Sequence, residues 1–313
     1  MSAGNPSERP PLLDNPRAER VRRVRGLVGR SARERSGRIL VEGPQAVREL
    51  VRHRAPWVLD VYLTAQARER HPEIDEAARS ATRWVHEISE GVARAMSGEA
   101  QGVVAVADAG AIGGAVPGRG ALAARIAGAA PVTGAVPDRG APGVLAVLAE
   151  AQDPGNAGTI IRTADAMGAA GVVVAAGSVD VRAPKVIRSS AGSVFHLPVV
   201  TGWPLDEAVR ALHEQECVLV GTSGSDGSLD LAELLEDSLV RAPSVLAGPV
   251  AWMMGNEARG LSADQEALCD LLVRIPMTGQ AESLNVASAA AICLFASQTA
   301  GSRARYAGGH AHP

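Results

Sequence analysis

The sequence predicts an α/β protein in which a mostly parallel sheet is covered by helices on both faces. Short runs rich in Val, Ile, Leu and Ala alternate with helical patterns along the chain, as in βαβ units. In the second half these runs are apolar throughout, which is typical of strands buried on both faces. The chain has 313 residues, and single cores stop growing at about 250 to 300 residues, so two domains are expected.

The first predicted domain spans residues 17–108. Residues 1–16 are polar and Pro-rich, and we expect a disordered tail there. A very basic helical pattern follows from 16 to about 37, and a small α/β unit completes the domain. Its predicted strands are 38–42, 57–64, 84–88 and 103–107, and its predicted helices are 44–54, 65–81 and 91–96. Residues 109–142 are rich in Ala, Gly and Pro and are predicted to form a linker.

The second predicted domain spans residues 143–303 and precedes a tail at 304–313. Its predicted strands are 144–150, 171–176, 198–200, 217–221, 250–254 and 272–276. Its predicted helices are 157–167, 184–191, 204–216, 229–237, 263–271 and 283–300. In parallel sheets of this kind, ligands bind beyond the carboxyl ends of the strands.

The net charge of −3 hides an uneven distribution along the chain. Residues 1–54 contain 13 Arg against 6 acidic residues, which indicates either a polyanion partner or a solvated Arg-rich helix face. The chain has only two Phe and two Tyr, which argues against base-stacking aromatic platforms.

Cysteine usage and hydropathy indicate the compartment. The three Cys lie far apart in apolar runs, as expected of buried free thiols in a reducing environment. No signal peptide and no run of about 18 apolar residues is found, so a cytoplasmic protein is expected. The seven His show no zinc-ligand spacing, and no metal is expected.

Three polar loops follow predicted strands. The first, AQDPGNAGTIIRTADA, places Arg162 among small and apolar residues, where burying a guanidinium is costly without a partner. The Arg162 side chain therefore either binds a substrate phosphate or reaches to solvent or to Asp165. Asn156 can cap the helix of this segment.

The second loop, MMGNEARGLSADQ, has two glycines, both charge signs and a capping box formed by Ser262 and Gln265. The third, IPMTGQAESLNVA, has Gly279 for close backbone approach, with Ser283 and Asn285 as helix caps. A weaker fourth loop is GTSGSDGS. The chain contains no GxGxxG, no P-loop and no G-x-S-x-G pattern, which argues against dinucleotide, P-loop and serine-hydrolase functions.

Three segments of the chain, in their order and spacing, resemble the three motifs of the SpoU/TrmH family of RNA 2′-O-ribose methyltransferases. They are DPGNAGTIIRTADA, GNEARGLS and IPMTGQAESLNVASAAAI. The resemblance implies the SPOUT fold, a mostly parallel sheet with a C-terminal trefoil knot, and S-adenosylmethionine as cofactor. RILVEGPQAVREL and QGVVAVAD are similar to parts of a ribosomal-protein-like substrate-binding domain, although Ala100 stands where that pattern usually has Pro.

The resemblance also implies roles for particular residues. The matching cofactor-binding positions are Thr222, Ser223, Gly255, Ile275, Met277, Ser283 and Leu284. The matching catalytic positions are Arg162, Asn156, Glu257 and Asn285. Arg162, Arg188 and Ser190 are expected to bind substrate. A guanidinium with a pKa above about 12 is a poor base, so positioning of a phosphate is favoured over proton abstraction for Arg162.

The implied reaction is methylation of a ribose 2′-hydroxyl in RNA. The family favours 23S ribosomal RNA, because the added N-terminal domain is common among rRNA-directed members; tRNA and a non-catalytic RNA-binding relative are the alternatives. A homodimer without metal is implied, in which one subunit can complete the site of the other.

Overall fold

The computed structural model describes residues 12–113, 143–240 and 244–308. Residues 1–11 of the predicted N-terminal tail, 114–142 of the predicted linker and 309–313 of the predicted C-terminal tail lie outside the described residues. The chain divides into two compact units, of which the first is Met1–Ala111 with Arg182–Phe195 and the second is Ile112–Val181 with His196–Pro313.

The first unit contains a four-stranded sheet in the order β1-β4-β2-β3. The strands are β1 (Arg38–Glu42), β2 (Val58–Leu63), β3 (Val85–Glu87) and β4 (Val103–Asp108). Strand β4 is antiparallel to β1 and β2, and β2 is parallel to β3. The helices are α1 (Glu19–Gly26), α2 (Arg30–Ser36), α3 (Pro44–His53), α4 (Ala65–Arg70), α5 (Pro72–Ala81) and α6 (Glu90–Met96).

Two predicted helices of this unit are each divided in the structure. The basic helix predicted at 16–37 is two helices, α1 and α2, with Gly29 as the N-cap of α2. The helix predicted at 65–81 is broken at His71, because Pro72 has no N–H and its ring is incompatible with continued helix at the preceding residues. The expected tail is shorter than residues 1–16, since Leu13 pairs through its backbone with Glu87 and Ser89.

The segment Arg182–Phe195 belongs to the first unit, although the sequence suggested one continuous domain from 143 to 303. Its helix α8 (Pro184–Ser189) buries Val186 and Ile187 and packs against β1. Gly192 has φ +89°, and a Cβ there would lie 2.6 Å from the Cβ of Glu49 in α3. This close approach explains a glycine at that position.

The second unit contains a seven-stranded sheet in the order β7-β6-β5-β10-β8-β11-β9, in which all neighbouring strands are parallel. The predicted parallel sheet is confirmed. The strands are β5 (Val144–Leu148), β6 (Gly171–Ala175), β7 (Val199–Trp203), β8 (Val218–Thr222), β9 (Leu229–Asp230), β10 (Val250–Met254) and β11 (Leu271–Arg274). The helices are α7 (Pro154–Ala166), α8 above, α9 (Leu205–His213), α10 (Leu231–Val240), α11 (Ala263–Glu266) and α12 (Val286–Gly308).

The last helix differs from its prediction at both ends. It begins at Val286 and not at Ser283, and it extends to Gly308, into the tail predicted at 304–313. Its inner side is buried, and Ser297 accepts a hydrogen bond of 2.9 Å from the indole Nε1 of Trp252, a fully buried residue of β10. This bond satisfies the indole N–H inside the core.

Burial raises the pKa of the Cys217 and Cys293 thiols to about 12 and that of Cys269 to about 11. None of the helices in the described ranges combines the length and the hydropathy that a membrane crossing requires.

Candidate active site

Four loops of the second unit meet at one edge of its sheet. They follow β5, β10, β8 and β11, which are adjacent in that order and parallel. Because the carboxyl ends of parallel strands lie at the same edge, the three polar loops predicted from the sequence and the weaker loop GTSGSDGS come together.

The loops after β8, β10 and β11 form a pocket of about 370 Å³. All seven residues expected to hold the cofactor line it, namely Thr222, Ser223, Gly255, Ile275, Met277, Ser283 and Leu284. They come from three loops separated by up to about 60 residues of sequence, so only the fold brings them together.

The chemistry of the lining fits S-adenosylmethionine. The Met277 and Leu284 side chains are 45% and 39% exposed and offer apolar surface to an adenine ring and a methionine chain. Glu257 and Glu282 supply negative charge for a sulfonium. The volume lies within the range of about 300 to 1,000 Å³ that is usual for small-molecule sites.

The second loop is folded back on itself by backbone hydrogen bonds. The Asn256 N–H donates to the Gly260 carbonyl at 2.9 Å, and the Gly260 N–H donates to the Asn256 carbonyl at 2.8 Å. A Cβ on Gly255 would lie 2.2 Å from the Gly260 carbonyl carbon, so only glycine fits there. Gly279 in the third loop is different from its prediction, because nothing lies within 4 Å of its Cβ position.

Ser223 is held by helix α11. Its hydroxyl donates to the Glu266 carboxylate, which also accepts a hydrogen bond of 2.8 Å from Ser225. These two hydrogen bonds, from Ser223 first, lower the pKa of Glu266. Ser262 and Gln265 form the predicted capping box of α11, which fixes the helix that carries Glu266.

Three of the four expected catalytic residues are joined by a chain of hydrogen bonds. The Glu257 carboxylate accepts from the backbone N–H groups of Gln152 and Asp153, at 3.2 and 3.0 Å. The Asp153 side chain accepts from the Asn156 N–H at 2.8 Å. The Asn285 amide then donates to the Asn156 side-chain oxygen at 3.0 Å. Each of the three motifs is therefore tied to another.

Of the three helix caps predicted in the first and third loops, one is observed. Asn285 caps α12, since its side-chain oxygen accepts from the N–H groups of Ala287 and Ser288 at 2.9 and 3.4 Å. Asp153, and not Asn156, is the N-cap of α7, followed by Pro154 in the first turn. Ser283 lies before the start of α12, in the pocket lining.

The structure does not bring Arg162 into this chain. It lies six residues after Asn156 on α7, about 9 Å further along the axis, and it is exposed. Of the alternatives for Arg162, the structure agrees with a side chain that reaches solvent, because Ile160, Ile161 and Ala164 occupy the buried face of α7 and Arg162 the opposite one. Within the described ranges, no hydrogen bond or ion pair involves Arg162, so its fork of donors faces outward.

Arg188 and Ser190 lie in the first unit. The Arg188 guanidinium donates to the carboxylate of Glu42, a buried residue at the end of β1 that also accepts from Ser97. Ser190 is fully buried, and its hydroxyl donates to the Ile187 carbonyl at 2.8 Å. This bond gives Ser190 a structural role in ending α8.

Sequence reasoning missed Asp153, Glu266 and Arg259 as supports of the site. The Asp-Pro pair at 153–154 is a helix-start signal that could have identified Asp153. The Arg259 guanidinium donates to the Glu150 carboxylate at 2.8 Å, and Glu266 accepts from Ser223. No local signal identifies Arg259 or Glu266, because their partners are distant in sequence.

A parallel α/β sheet with a pocket at its carboxyl edge and polar loops joined by hydrogen bonds is the arrangement of α/β enzymes that bind a small molecule there. The chain belongs to the SpoU rRNA Methylase family, whose model matches residues 143–295. A 23S rRNA (guanosine-2′-O-)-methyltransferase RlmB of Bordetella pertussis is 30% identical to it, across 82% of this chain and 96% of that protein. A 23S rRNA (uridine(2479)-2′-O)-methyltransferase of Streptomyces viridochromogenes is 43% identical, across 45% of this chain and 47% of that protein.

The solved structures agree with this membership. The SpoU methyltransferase AviRb from Streptomyces viridochromogenes, in complex with the cofactor AdoMet, is similar with a TM-score of 0.66 and 29% identity. The similarity covers 93% of this chain and 100% of that chain, so it extends over both units of the fold.

Proposed function

We propose that this protein transfers a methyl group from S-adenosylmethionine to a ribose 2′-hydroxyl of RNA. The observation that carries the proposal is the pocket lined by the second and third motif loops and by the loop after β8. The first motif is joined to these loops by the hydrogen bonds between Glu257, the start of α7, Asn156 and Asn285. The family and the AdoMet complex of a relative support the same reaction.

When bound, S-adenosylmethionine supplies a methyl group on a sulfonium, which is transferred with cleavage of the carbon–sulfur bond and formation of a carbon–oxygen bond. Thr222, Ser223, Gly255, Ile275, Met277, Ser283 and Leu284 would hold the cofactor. The chain contributes orientation and exclusion of water, because methyl transfer from a cation to a neutral oxygen disperses charge and gains most from alignment.

Arg162 is assigned to the RNA phosphate next to the reacting ribose. Its guanidinium is exposed, has no described partner and can form a bidentate pair with a phosphate. The positive charge also favours loss of the 2′-hydroxyl proton, which passes to solvent as the carbon–oxygen bond forms and the carbon–sulfur bond breaks. Glu257 positions the start of α7 and does not act as the base, because its carboxylate is occupied by backbone N–H groups.

The experiment measures methyl incorporation from labelled S-adenosylmethionine into 23S rRNA, with cofactor and RNA affinity measured separately. Arg162→Ala should keep cofactor affinity and lose about 100-fold or more of the methyl transfer rate, as for loss of an aligning electrostatic contact. Arg210→Ala is the matched control, since Arg210 is another exposed arginine of the second unit. Full incorporation by Arg162→Ala would overturn the assigned role, and RNA binding without incorporation by the wild type would identify a non-catalytic relative.

Ribosomal RNA is the proposed substrate, and the cytoplasm the proposed location. Both relatives described above are named as 23S rRNA methyltransferases, one at a uridine and one at a guanosine. The first unit, with its basic α1 and α2, is assigned to RNA binding, and Arg188 to the same surface after release from Glu42. Nucleoside mass spectrometry of 23S rRNA and tRNA from a deletion strain identifies the substrate, and a missing tRNA methyl group would contradict the assignment.

We also propose that the C-terminal part is threaded as a trefoil knot, which is rare among folds. Strand β10 lies between β5 and β8, and α12 packs back on α7 and β5, the earliest elements of the second unit. Pulling the denatured chain from residues 143 and 308 in an optical trap should give a contour shorter than that of the extended chain. A full-length contour would exclude the knot.

The proposed homodimer uses the outer faces of α7 and α12. Ile292 and Phe295 are 40% and 54% exposed and lie one turn apart on α12, next to the helix that carries Arg162. Ile292→Asp with Phe295→Asp should yield a monomer in analytical ultracentrifugation. Val240→Asp, at another exposed apolar position, should not.

If Arg162 completes the partner's site, mixing Arg162→Ala with Asn285→Ser subunits should restore about one quarter of wild-type activity, since half of the dimers are mixed and one of their two sites is complete. No recovery on mixing would place Arg162 in the site of its own subunit.

A further inference from the structure

We propose that the first unit binds an unpaired RNA strand in the cleft formed by α1, α2 and the adjacent end of the sheet. Arginines of this cleft hold the phosphates, and one base stacks on Trp84. We call this site the α1–α2 cleft. Its lining includes Arg20, Arg23, Arg35 and Arg38, and its volume is about 460 Å³. The inference deepens the proposed function and rests on it for the identity of RNA as the ligand.

The cleft follows from how the sheet is covered. Leu40, Tyr62, Val104 and Val106 lie on one face of the sheet and pack in a core cluster with residues of α1 and α6. By the two-residue alternation of strands, Asp60 and Arg38 lie on the same face as these residues. Asp60, Arg38 and Tyr62 also line the cleft, so polar groups surround an apolar floor.

Helix α2 is fixed against α1 by Arg33. The Arg33 guanidinium is 5% exposed and donates to the Leu27 and Val28 carbonyls at 2.9 and 2.6 Å, which satisfies backbone acceptors just after the end of α1. The cleft therefore has a defined wall; Arg35 lines it from α2 and Arg38 from the start of β1.

The charges of the cleft are poorly neutralised. Asp60 is the only carboxylate among its lining residues, against four arginines, and it is already hydrogen-bonded to His86 at 3.0 Å. The Arg35 and Arg38 side chains make no hydrogen bond or ion pair within the described part of the chain. The Arg23 Nε lies 3.8 Å from the Glu19 carboxylate, and both side chains are exposed to solvent. A surplus of outward guanidinium groups attracts phosphates.

An aromatic stack borders the arginines. The Tyr62 and His86 rings stack with centroids 5.0 Å apart, and the Trp84 ring lies nearly parallel to His86 at 6.3 Å. Arg20 contacts His86 at 3.3 Å, which joins the stack to the cleft. The Trp84 indole is 47% exposed, and the Arg83 guanidinium lies over its ring, 4.7 Å from the centroid. A stacked base would therefore take the place of the Arg83 side chain, which is long enough to move aside and pair with a phosphate.

This arrangement suits a single strand in preference to a duplex, because only unpaired bases present a free face to an aromatic ring. The low aromatic content argued against such a platform, but strand pairing of β2 with β3 gathers Tyr62, His86 and Trp84 at one place.

The test measures binding of a fluorescein-labelled 12-nucleotide oligouridine to the full chain by anisotropy, from 50 to 200 mM NaCl. Each lost phosphate contact lowers affinity about 5-fold at 100 mM salt, so Arg35→Ala with Arg38→Ala should weaken binding about 25-fold and reduce the salt slope by about 1.4. The control is Arg52→Ala with Arg70→Ala, two exposed arginines of α3 and α4 outside the cleft. It should leave both quantities unchanged.

Trp84→Ala should weaken oligouridine binding about 5-fold or more, the loss expected for one stacked base. Trp84→Phe should remove the quenching of protein fluorescence by the oligonucleotide, whereas Trp57→Phe, at a second exposed Trp, should not. Cofactor affinity should not change in any of these variants.

The proposal is overturned if the wild type does not bind oligouridine, if the cleft and control pairs behave alike, or if a 12-base-pair duplex binds as tightly and without dependence on Trp84. Methyl transfer is scored separately. If methyl transfer is absent while the cleft variants still lose oligouridine binding, the cleft stands and the catalytic proposal fails.

Discussion

Asn285 performs two tasks that two substitutions can separate. Its side-chain oxygen caps α12 through Ala287 and Ser288, and its amide donates to Asn156. Asn285→Ala removes both contacts. Asn285→Ser keeps an oxygen that can cap the helix, because Ser and Asn are similar N-caps, but it is too short to reach Asn156.

The magnitudes follow from these contacts. Loss of an N-cap costs about 1 kcal/mol, so Asn285→Ala should be less stable than Asn285→Ser by about that amount. In a domain of this size, that difference lowers Tm by about 2 to 4 °C. The Asn285–Asn156 bond is partly solvated, so its loss in both variants should cost at most about 0.5 to 1 kcal/mol.

The two variants should differ in stability but not in activity. Both variants release Asn156, and displacement of a reacting group by about 1 Å costs about 100-fold, so we expect the two to lose methyl transfer to a similar extent. Thermal unfolding by calorimetry and single-turnover methyl transfer to 23S rRNA measure the two effects. Full activity of Asn285→Ser would refute the role of the Asn285–Asn156 bond, and equal stability of the two variants would refute the cap.

Three further predictions concern packing and titration. Gly255→Ala should abolish cofactor binding in calorimetry and lower stability, because its Cβ would meet the Gly260 backbone at 2.2 Å, whereas Gly279→Ala, with open space at its Cβ, should bind normally. Ser297→Ala leaves the buried Trp252 N–H without its acceptor and should destabilise the protein by about 1 to 3 kcal/mol in urea unfolding. The thiols of the folded protein have pKa values of about 11 to 12 against an ordinary value of 9.0, so their contribution to stability is complete below pH 9 and is lost as pH rises to about 11 to 12. Iodoacetamide at pH 8 should modify Cys217 and Cys293 only after denaturation, and rapid labelling of these two in the native protein would contradict their burial.

The parallel sheet and its strands could be predicted because uninterrupted apolar runs are a local signal. Strand bounds differ from the predictions by a few residues, while Leu229 and Asp230 form a short strand where a helix was expected. Their pairing with Val273 and Arg274 of β11 is a tertiary contact that overrides local propensity.

Site residues were predictable to the extent that motifs specify them. The seven residues expected to bind the cofactor line one pocket, and hydrogen bonds link Asn156 and Asn285 to each other and Glu257 to the start of α7. Their roles stay predictions. The apolar neighbours of Arg162 in sequence left its partner open between phosphate, solvent and Asp165, and the helical period places its side chain on the exposed face of α7. Assignment of Arg182–Phe195 to the first unit has no local signal, since it depends on contacts with β1 and α3.

The interlocking of the three motifs explains why polar residues are concentrated in them. The start of a helix leaves N–H groups without intrahelical partners, and at α7 those of Gln152, Asp153 and Asn156 are satisfied by Glu257 and Asp153. Carbonyl and carboxylate groups of Glu150 are in turn satisfied by Asn256 and Arg259 of the second motif. Each loop thus depends on side chains of another for its conformation, including the second and third loops, which line the pocket. A single substitution at Glu257 or Asn285 therefore acts on the whole site, since it releases a loop that other residues of the pocket require.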